Sequence, residues 1–392
     1  MTVHATSLSV YRGQSRSGDG EGPGQAILRG EQYLHVDREL YESELLDAIR
    51  SWMTLDSDPL DHQRLNDRLE SWSLFSLRDY LFVVRLVSAG RYDQRAAYFS
   101  HARVWKRSSL PRTFDPGLNL GRETAFAQPW RDQDAVPPEA LETLSSLVRP
   151  QQIKEEAETA SLFLAHLFQT MTQQSALIIT APVAEFASGS ALHALVSFAR
   201  GGLPAEVRDP CRIRVYSRIP DKFLRHLGTH LLVVPEPAAA DAVAARSSAT
   251  LLDRRGNKVM GKDLDPRFLD YARWVVERAT ALPDGLAQFS ARYAFRPHEF
   301  APGESARASV QITYNVASAL TAGEHKALMT YLPSAATAFG PGLDWNRFIA
   351  DDAWQQFPRE LLLDRLLSSS DAAAEGEREL LRTIAAKASR LG

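Results

Sequence analysis

The 392-residue sequence predicts an α/β protein, and three observations carry that assignment. First, an apolar run over residues 80–87 is followed, across a short polar turn, by an alternating run over 96–105, the pattern of two paired strands. Second, from residue 151 onward short apolar runs alternate with helical periodicity, the order that builds a layered sheet with some parallel pairing. Third, the pattern beyond Gly285 is mainly helical. Together they divide the chain into an α+β N-terminal domain (residues 1–135), an α/β middle domain (136–282) and a helical C-terminal region (283–392).

In chain order, residues 7–11 read as a short first strand. Residues 13–24 are polar and glycine-rich, with Gly20, Gly22 and Gly24 alternating. No Gly-Lys-Ser/Thr follows, so the segment lacks the fingerprint of a phosphate-cradling loop and reads as a flexible or family-specific one. Residues 39–53 set Leu40, Leu45, Ile49 and Trp52 near one helical stripe. Residues 60–72 read as a second helix or a loop, with His62 at the surface.

Within the strand pair, residues 80–87 are aromatic and β-branched and read as largely buried. In the second run Ala96, Tyr98, Ser100, Ala102 and Val104 share one face, and Phe99, His101, Arg103 and Trp105 share the other. The smaller, more apolar face is expected to meet the core, leaving His101 and Arg103 to project together on the second. Prolines at 111, 116, 129, 137 and 138 then mark a long connection, with a domain boundary near 130–150.

The middle segment is the most regular. Ile153, Ala157, Ala160, Leu164, Leu167 and Met171 recur at alternating spacings of three and four, one apolar face of a helix over about residues 151–173. Strands are expected at 176–180, 212–216, 230–234 and 249–252, and helices at 183–199 and 239–246. Asp263 or Asp265 caps a further helix with Pro266 in its first turn. The C-terminal helices are placed at 305–320, 322–331, 359–367 and 375–391.

Composition bounds the function without naming it. The net charge is −3, with 44% hydrophobic and 24% charged residues, which gives no case for a dedicated nucleic-acid binder. Cys211 is the only cysteine, so no intrachain disulfide and no cysteine-based zinc site can form. There is no apolar run of about 18 residues, and residues 1–20 lack the apolar core of a secretory leader. A cytoplasmic protein without a membrane anchor is expected, and nothing calls for a cofactor or metal. His-Glu-x-x-His, Cys-x-x-Cys, Gly-x-Ser-x-Gly and Walker patterns are missing, and Ser188-Gly189-Ser190 lacks the flanks of a nucleophile elbow.

One local feature departs from that neutral background. Between Arg78 and Arg112 the chain carries eight Lys or Arg against two acidic residues, Asp79 and Asp93. Arg91, Arg95, Arg103, Lys106 and Arg107 are the candidate partner-binding residues, since basic groups among aromatics suit an acidic partner. The catalytic candidates are His101, Asp93 and Arg95, with Ser100 beside them. A histidine near a carboxylate can carry protons and an arginine can hold an anion. The alternative reading is a hydrogen-bonded structural histidine within a charged strand edge.

The order of these features resembles the bacterial GTPase-associated protein family of predicted conflict systems, in its N-terminal and middle domains. Residues 20–28 are similar to that family's early glycine-rich run, although its usual histidine is Gln25 here. Asp93, Arg95, Phe99, Ser100, His101 and Ala102 match its later strand signature residue by residue. Residues 176–180, Leu203-Pro204, Arg208, residues 212–216, Leu252-Asp253 and Tyr271-Ala272 are similar to its middle domain. The resemblance spans about residues 8–280. It implies a core protein encoded beside GTPases and acting in anti-phage or other bacterial conflict, with no agreed enzymatic activity.

The first expectation is therefore an assembly or adaptor component that binds a partner GTPase or effector. The alternative is a hydrolase or nuclease acting on a phosphate-bearing substrate, with His101 as acid–base and Arg95 or Arg103 holding the anion. A nucleic-acid sensor built on the basic segment is possible on these residues but is not favoured.

Overall fold

The computed structural model describes residues 3–4, 6–12, 27–28, 48–49, 51–55, 59–65, 68–92, 95–107, 117, 120, 140–141 and 150–281, the last without 188–189, 204 and 247. The glycine-rich loop, Asp93, most of the proline-rich connection and all of the expected C-terminal helices lie outside the described residues.

Twelve strands are described: β1 (Val3–His4), β2 (Thr6–Arg12), β3 (Ile27–Leu28), β4 (Glu70–Leu77), β5 (Tyr80–Tyr92), β6 (Arg95–Lys106), β7 (Ala140–Leu141), β8 (Leu177–Ala181), β9 (Ile213–Val215), β10 (Leu231–Pro235), β11 (Thr250–Leu252) and β12 (Lys258–Met260). The described helices are α1 (Pro59–Arg64), α2 (Pro150–Glu155), α3 (Ala157–Thr172), α4 (Ala191–Gly201), α5 (Ala205–Arg208), α6 (Ala239–Ala245) and α7 (Pro266–Ala281). Ten of the strands form one mixed sheet in the order β12-β11-β8-β10-β9-β4-β5-β6-β2-β3. The protein is of the α/β class.

Apart from the antiparallel edge strand β12 on β11, the sheet changes character at one seam. β11, β8, β10 and β9 are mutually parallel, as expected of apolar runs separated by helices. From β9 outward every pairing is antiparallel, beginning with β9 on β4, where Trp72 faces Val215 and Leu74 faces Ile213. One sheet therefore runs through segments that the sequence pattern assigns to the N-terminal and middle domains. β4 corrects the expectation of a helix or loop through residue 72. Its polar serines, Ser71 and Ser73, obscure the strand in the sequence, yet both are buried and donate within the core, Ser71 to the Val215 carbonyl.

The second correction concerns β6. Tyr98, Ala102 and Val104 are buried as expected, but His101, Arg103 and Trp105 on the opposite face are buried as well. The reason is topological: β6 is an interior strand between β5 and β2, and the face that carries His101 also carries Trp72, which packs against His193 of α4.

Two layers flank the sheet. On one face α3 packs on α7 through Phe168 against Phe268 and Tyr271, with centroids 5.0 and 5.1 Å apart. The Gln169 amide ties α3 to the start of α7, donating to the Asp263 carbonyl and accepting from the Asp265 N–H. The helix expected over 151–173 is two helices, α2 and α3, separated at Glu156. The helix expected from residue 183 begins only at Ala191, after a 3₁₀ turn at Val183–Phe186. On the other face Phe82, Phe75 and Trp52 form a ring stack that Phe223, from a π-helical turn at Lys222–His226, meets edge-on. Arg214 is fully buried there and donates to the Trp52, Thr54 and Tyr216 carbonyls.

Candidate functional site

Cross-strand register decides which sequence-predicted residues meet. Val215, Trp72, Arg85 and His101 stand in one row across β9, β4, β5 and β6, and Leu74, Val83 and Arg103 in the next row on the same face. His101 and Arg103 are thus neighbours, as their spacing predicts. Ser100 points to the opposite face of the sheet and does not join them. Arg95 pairs with Tyr92 at the far end of the hairpin, six residues and therefore about 20 Å along the strand from His101. Asp93 lies outside the described residues.

Helix α4 covers this row. His193, Ser197 and Arg200 recur at spacings of four and three on α4 and are all buried. The His193 ring meets the edge of Trp72 at 6.3 Å between centroids, and the Ser197 hydroxyl donates to the Gly117 carbonyl at 3.4 Å. Arg200 lies so close to Gly117 that a Cβ there would stand 2.0 Å from its Nη1. Opposite, Arg85 is ion-paired with Glu70, and its guanidinium carbon sits 6.0 Å from the Trp72 ring centroid. The result is a buried polar seam between α4 and the antiparallel half of the sheet: Glu70, Arg85, His101 and Arg103 below, His193, Ser197 and Arg200 above.

The electrostatics of the seam keep its histidines neutral. Burial, then Arg103 and Arg85, lower His101 to a pKa of about 3. Burial, then Arg85, lower His193 to about 4, and neither of its ring nitrogens makes a hydrogen bond. A general acid–base needs contact with substrate and a pKa near working pH. His101 has no exposed surface.

The five candidate partner-binding residues do not form one surface. Arg103 is buried. Arg91 and Arg95 belong to one end of the β5–β6 hairpin and Lys106 and Arg107 to the other, about 35 Å away along β6. At the second end Lys106 is exposed and lies over the Tyr80 ring at 6.0 Å. Arg107 is 39% exposed and 3.8 Å from Asp209. Arg78, in the β4–β5 turn, is exposed beside them, and the Arg107 N–H donates to the Asp79 carbonyl.

A second charged constellation was not singled out from the sequence. The exit of β8 leads to α4 on one face of the sheet, while those of β9 and β10 lead to the opposite face, so these adjacent strands mark a switch point at their carboxyl ends. The exit turns of β8 and β9 meet there, Phe186 edge-on to Tyr216 at 5.1 Å. Because β4 is antiparallel to β9, its start lies beside the same edge, and α1 just before it reaches over. Asp61 of α1 is fully buried, accepting from the Tyr216 hydroxyl at 2.8 Å and from Arg218 Nε and Nη2 at 2.7 and 2.6 Å. Tyr216 holds a φ of +67°, a rare conformation for an aromatic residue. Further along the edge Arg254 makes a two-pronged pair with Glu156 at 2.8 and 3.0 Å. No local motif links Asp61 to Tyr216 and Arg218, which are 155 and 157 residues away.

Among the described residues no group of three or more His, Cys, Asp or Glu side chains is placed to hold a metal ion, and no helix is long and apolar enough to cross a membrane. The fold and both constellations define an α/β protein with a mixed sheet and a closed polar interior. No family model matches the chain, and no curated protein matches it.

Proposed function

We propose that the protein is a non-enzymatic assembly component, an adaptor that binds a partner GTPase or effector in a bacterial conflict or anti-phage system in the cytoplasm. The observation that carries the non-enzymatic reading is the enclosure of His101, which has no exposed surface and a pKa of about 3. The hydrolase or nuclease alternative needs that imidazole in contact with a substrate phosphate. The partner class rests on the resemblance to GTPase-associated proteins.

Arg78, Lys106 and Arg107 support an adaptor surface, since they gather at one end of the sheet and outnumber the acids beside them. Charge there sets association rate and partner choice more than fold stability. Reversing Lys106 and Arg107 to Glu is expected to leave the fold intact and to weaken co-elution with the adjacently encoded GTPase or effector by about tenfold or more. Co-elution unaffected by the double reversal overturns the assignment of this surface, and loss of biological activity in a folded His101→Asn protein with intact co-elution overturns the non-enzymatic reading.

A further inference from the structure

Asp61 is held as a ligand is held. Its carboxylate is fully buried, both oxygens accept from the Arg218 fork, the Tyr216 hydroxyl donates to Oδ2, and Arg64 of the same helix stands 3.9 Å from Oδ1. The group that supplies it is α1, a helix of 6 residues, too short to be stable except by docking. The site lies at the carboxyl edge of the parallel strands, the place where open α/β sheets bind their ligands. Tyr216 is held there at a φ of +67°, and such strain in a bulky residue gathers at sites that act. The surroundings are partly open: Arg218 is 19% exposed, and Leu60 and Ile219, the residues next to Asp61 and Arg218, are 55% and 50% exposed.

We propose that Tyr216 and Arg218 form an acid-recognition site which Asp61 fills in cis, and that the ligand replacing it is a carboxylate on a short amphipathic segment of a protein partner. The occupant defines the chemistry. A phenol hydroxyl and a guanidinium fork are complementary to a carboxylate, and the exposed Ile219, which stays beside Arg218 when α1 leaves, supplies apolar contact to residues flanking it. α1 is then the latch, displaced when a partner presents the same pairing of apolar and acidic residues. This site deepens the adaptor reading and rests on it. It is nonetheless tested with a synthetic peptide, so the site can fail while copurification succeeds, and the reverse.

The test uses the full chain carrying Asp61→Ala and a peptide copying residues 56–67, with titration followed by calorimetry. The variant is expected to bind this peptide about tenfold or more tightly than a peptide with Asn in place of its central Asp, and a further Arg218→Gln change is expected to abolish the preference. Equal affinity for the two peptides, or no binding by a folded variant, overturns the proposal. If Asp61→Ala does not fold, hydrogen exchange is measured on the unaltered protein with saturating peptide. The amides of residues 59–65 are then expected to exchange about fivefold faster or more. Unchanged exchange overturns the proposal, as does acceleration by inorganic phosphate alone.

Discussion

His193 has two buried ring nitrogens that make no hydrogen bond, and its neutrality has a measurable consequence. With folded pKa values of about 4 for His193 and about 3 for His101, against 6.5 unfolded, only the unfolded chain takes up these protons as the pH falls. Stability from these groups is complete above pH 6.5 and is lost as the pH falls toward 4. At pH 5 each costs about 2 kcal/mol. His166 and His230, each lowered to about 4 mainly by burial, act in the same direction. Urea midpoints at pH 7.5 and 5 are expected to show this loss, and His193→Leu is expected to shrink it by about 2 kcal/mol; an unchanged pH dependence contradicts the neutral buried imidazole. The Glu70–Arg85 pair gives a second residue-scale prediction. Arg85→Met alone leaves a buried carboxylate and is expected to cost about 3–5 kcal/mol, most of it recovered by adding Glu70→Leu. Chemical denaturation of the single and double variants checks this, and equal losses in both refute it. At this scale the sequence shows that His101 and Arg103 share a face. It does not show that the face is buried, because burial depends on strand order and on α4, which lies ninety residues later.

At the scale of elements, periodic segments were legible and polar strands were not. The stripe from Ile153 to Met171 marks α2 and α3, and the apolar runs near 177, 231 and 250 mark β8, β10 and β11. β4 escapes because its serines are satisfied by distant carbonyls, which no local pattern reports. The turn joining β4 to β5 places Arg78 at a φ of +50°, a conformation that glycine adopts without strain. Arg78→Gly is therefore expected to stabilise the protein by about 0.5 kcal/mol, the relief of strain exceeding the added freedom of the unfolded chain. A lower midpoint of thermal unfolding counts against that reading. Packing of α4 on the sheet leaves no room at Gly117, where an added Cβ would also stand 2.9 Å from Leu74 Cδ1. Gly117→Ala is expected to cost about 1–3 kcal/mol by displacing Arg200 and Leu74, as overpacking does elsewhere. Unaltered stability on thermal denaturation contradicts that tight contact.

For the whole molecule, the β4–β9 pairing is the decisive join. It makes a parallel half, legible as alternating strands and helices, continuous with an antiparallel half, legible as a hairpin. The same join carries α1 to the carboxyl edge and sets α4 over the row containing Trp72. Neither the buried polar seam nor the Asp61 site could be read from residue spacing, since each depends on which strands become neighbours. Two features at opposite ends of the sheet then bear on assembly: the basic cluster at Arg78, Lys106 and Arg107, and the acid held by Tyr216 and Arg218. The most direct test of the central claim is copurification of the tagged protein from its native operon, with mass spectrometry of what accompanies it. The account predicts a GTPase or effector in stoichiometric amount. A lone protein carrying bound nucleotide or nucleic acid contradicts it and returns His101 and the polar seam to consideration as a catalytic centre.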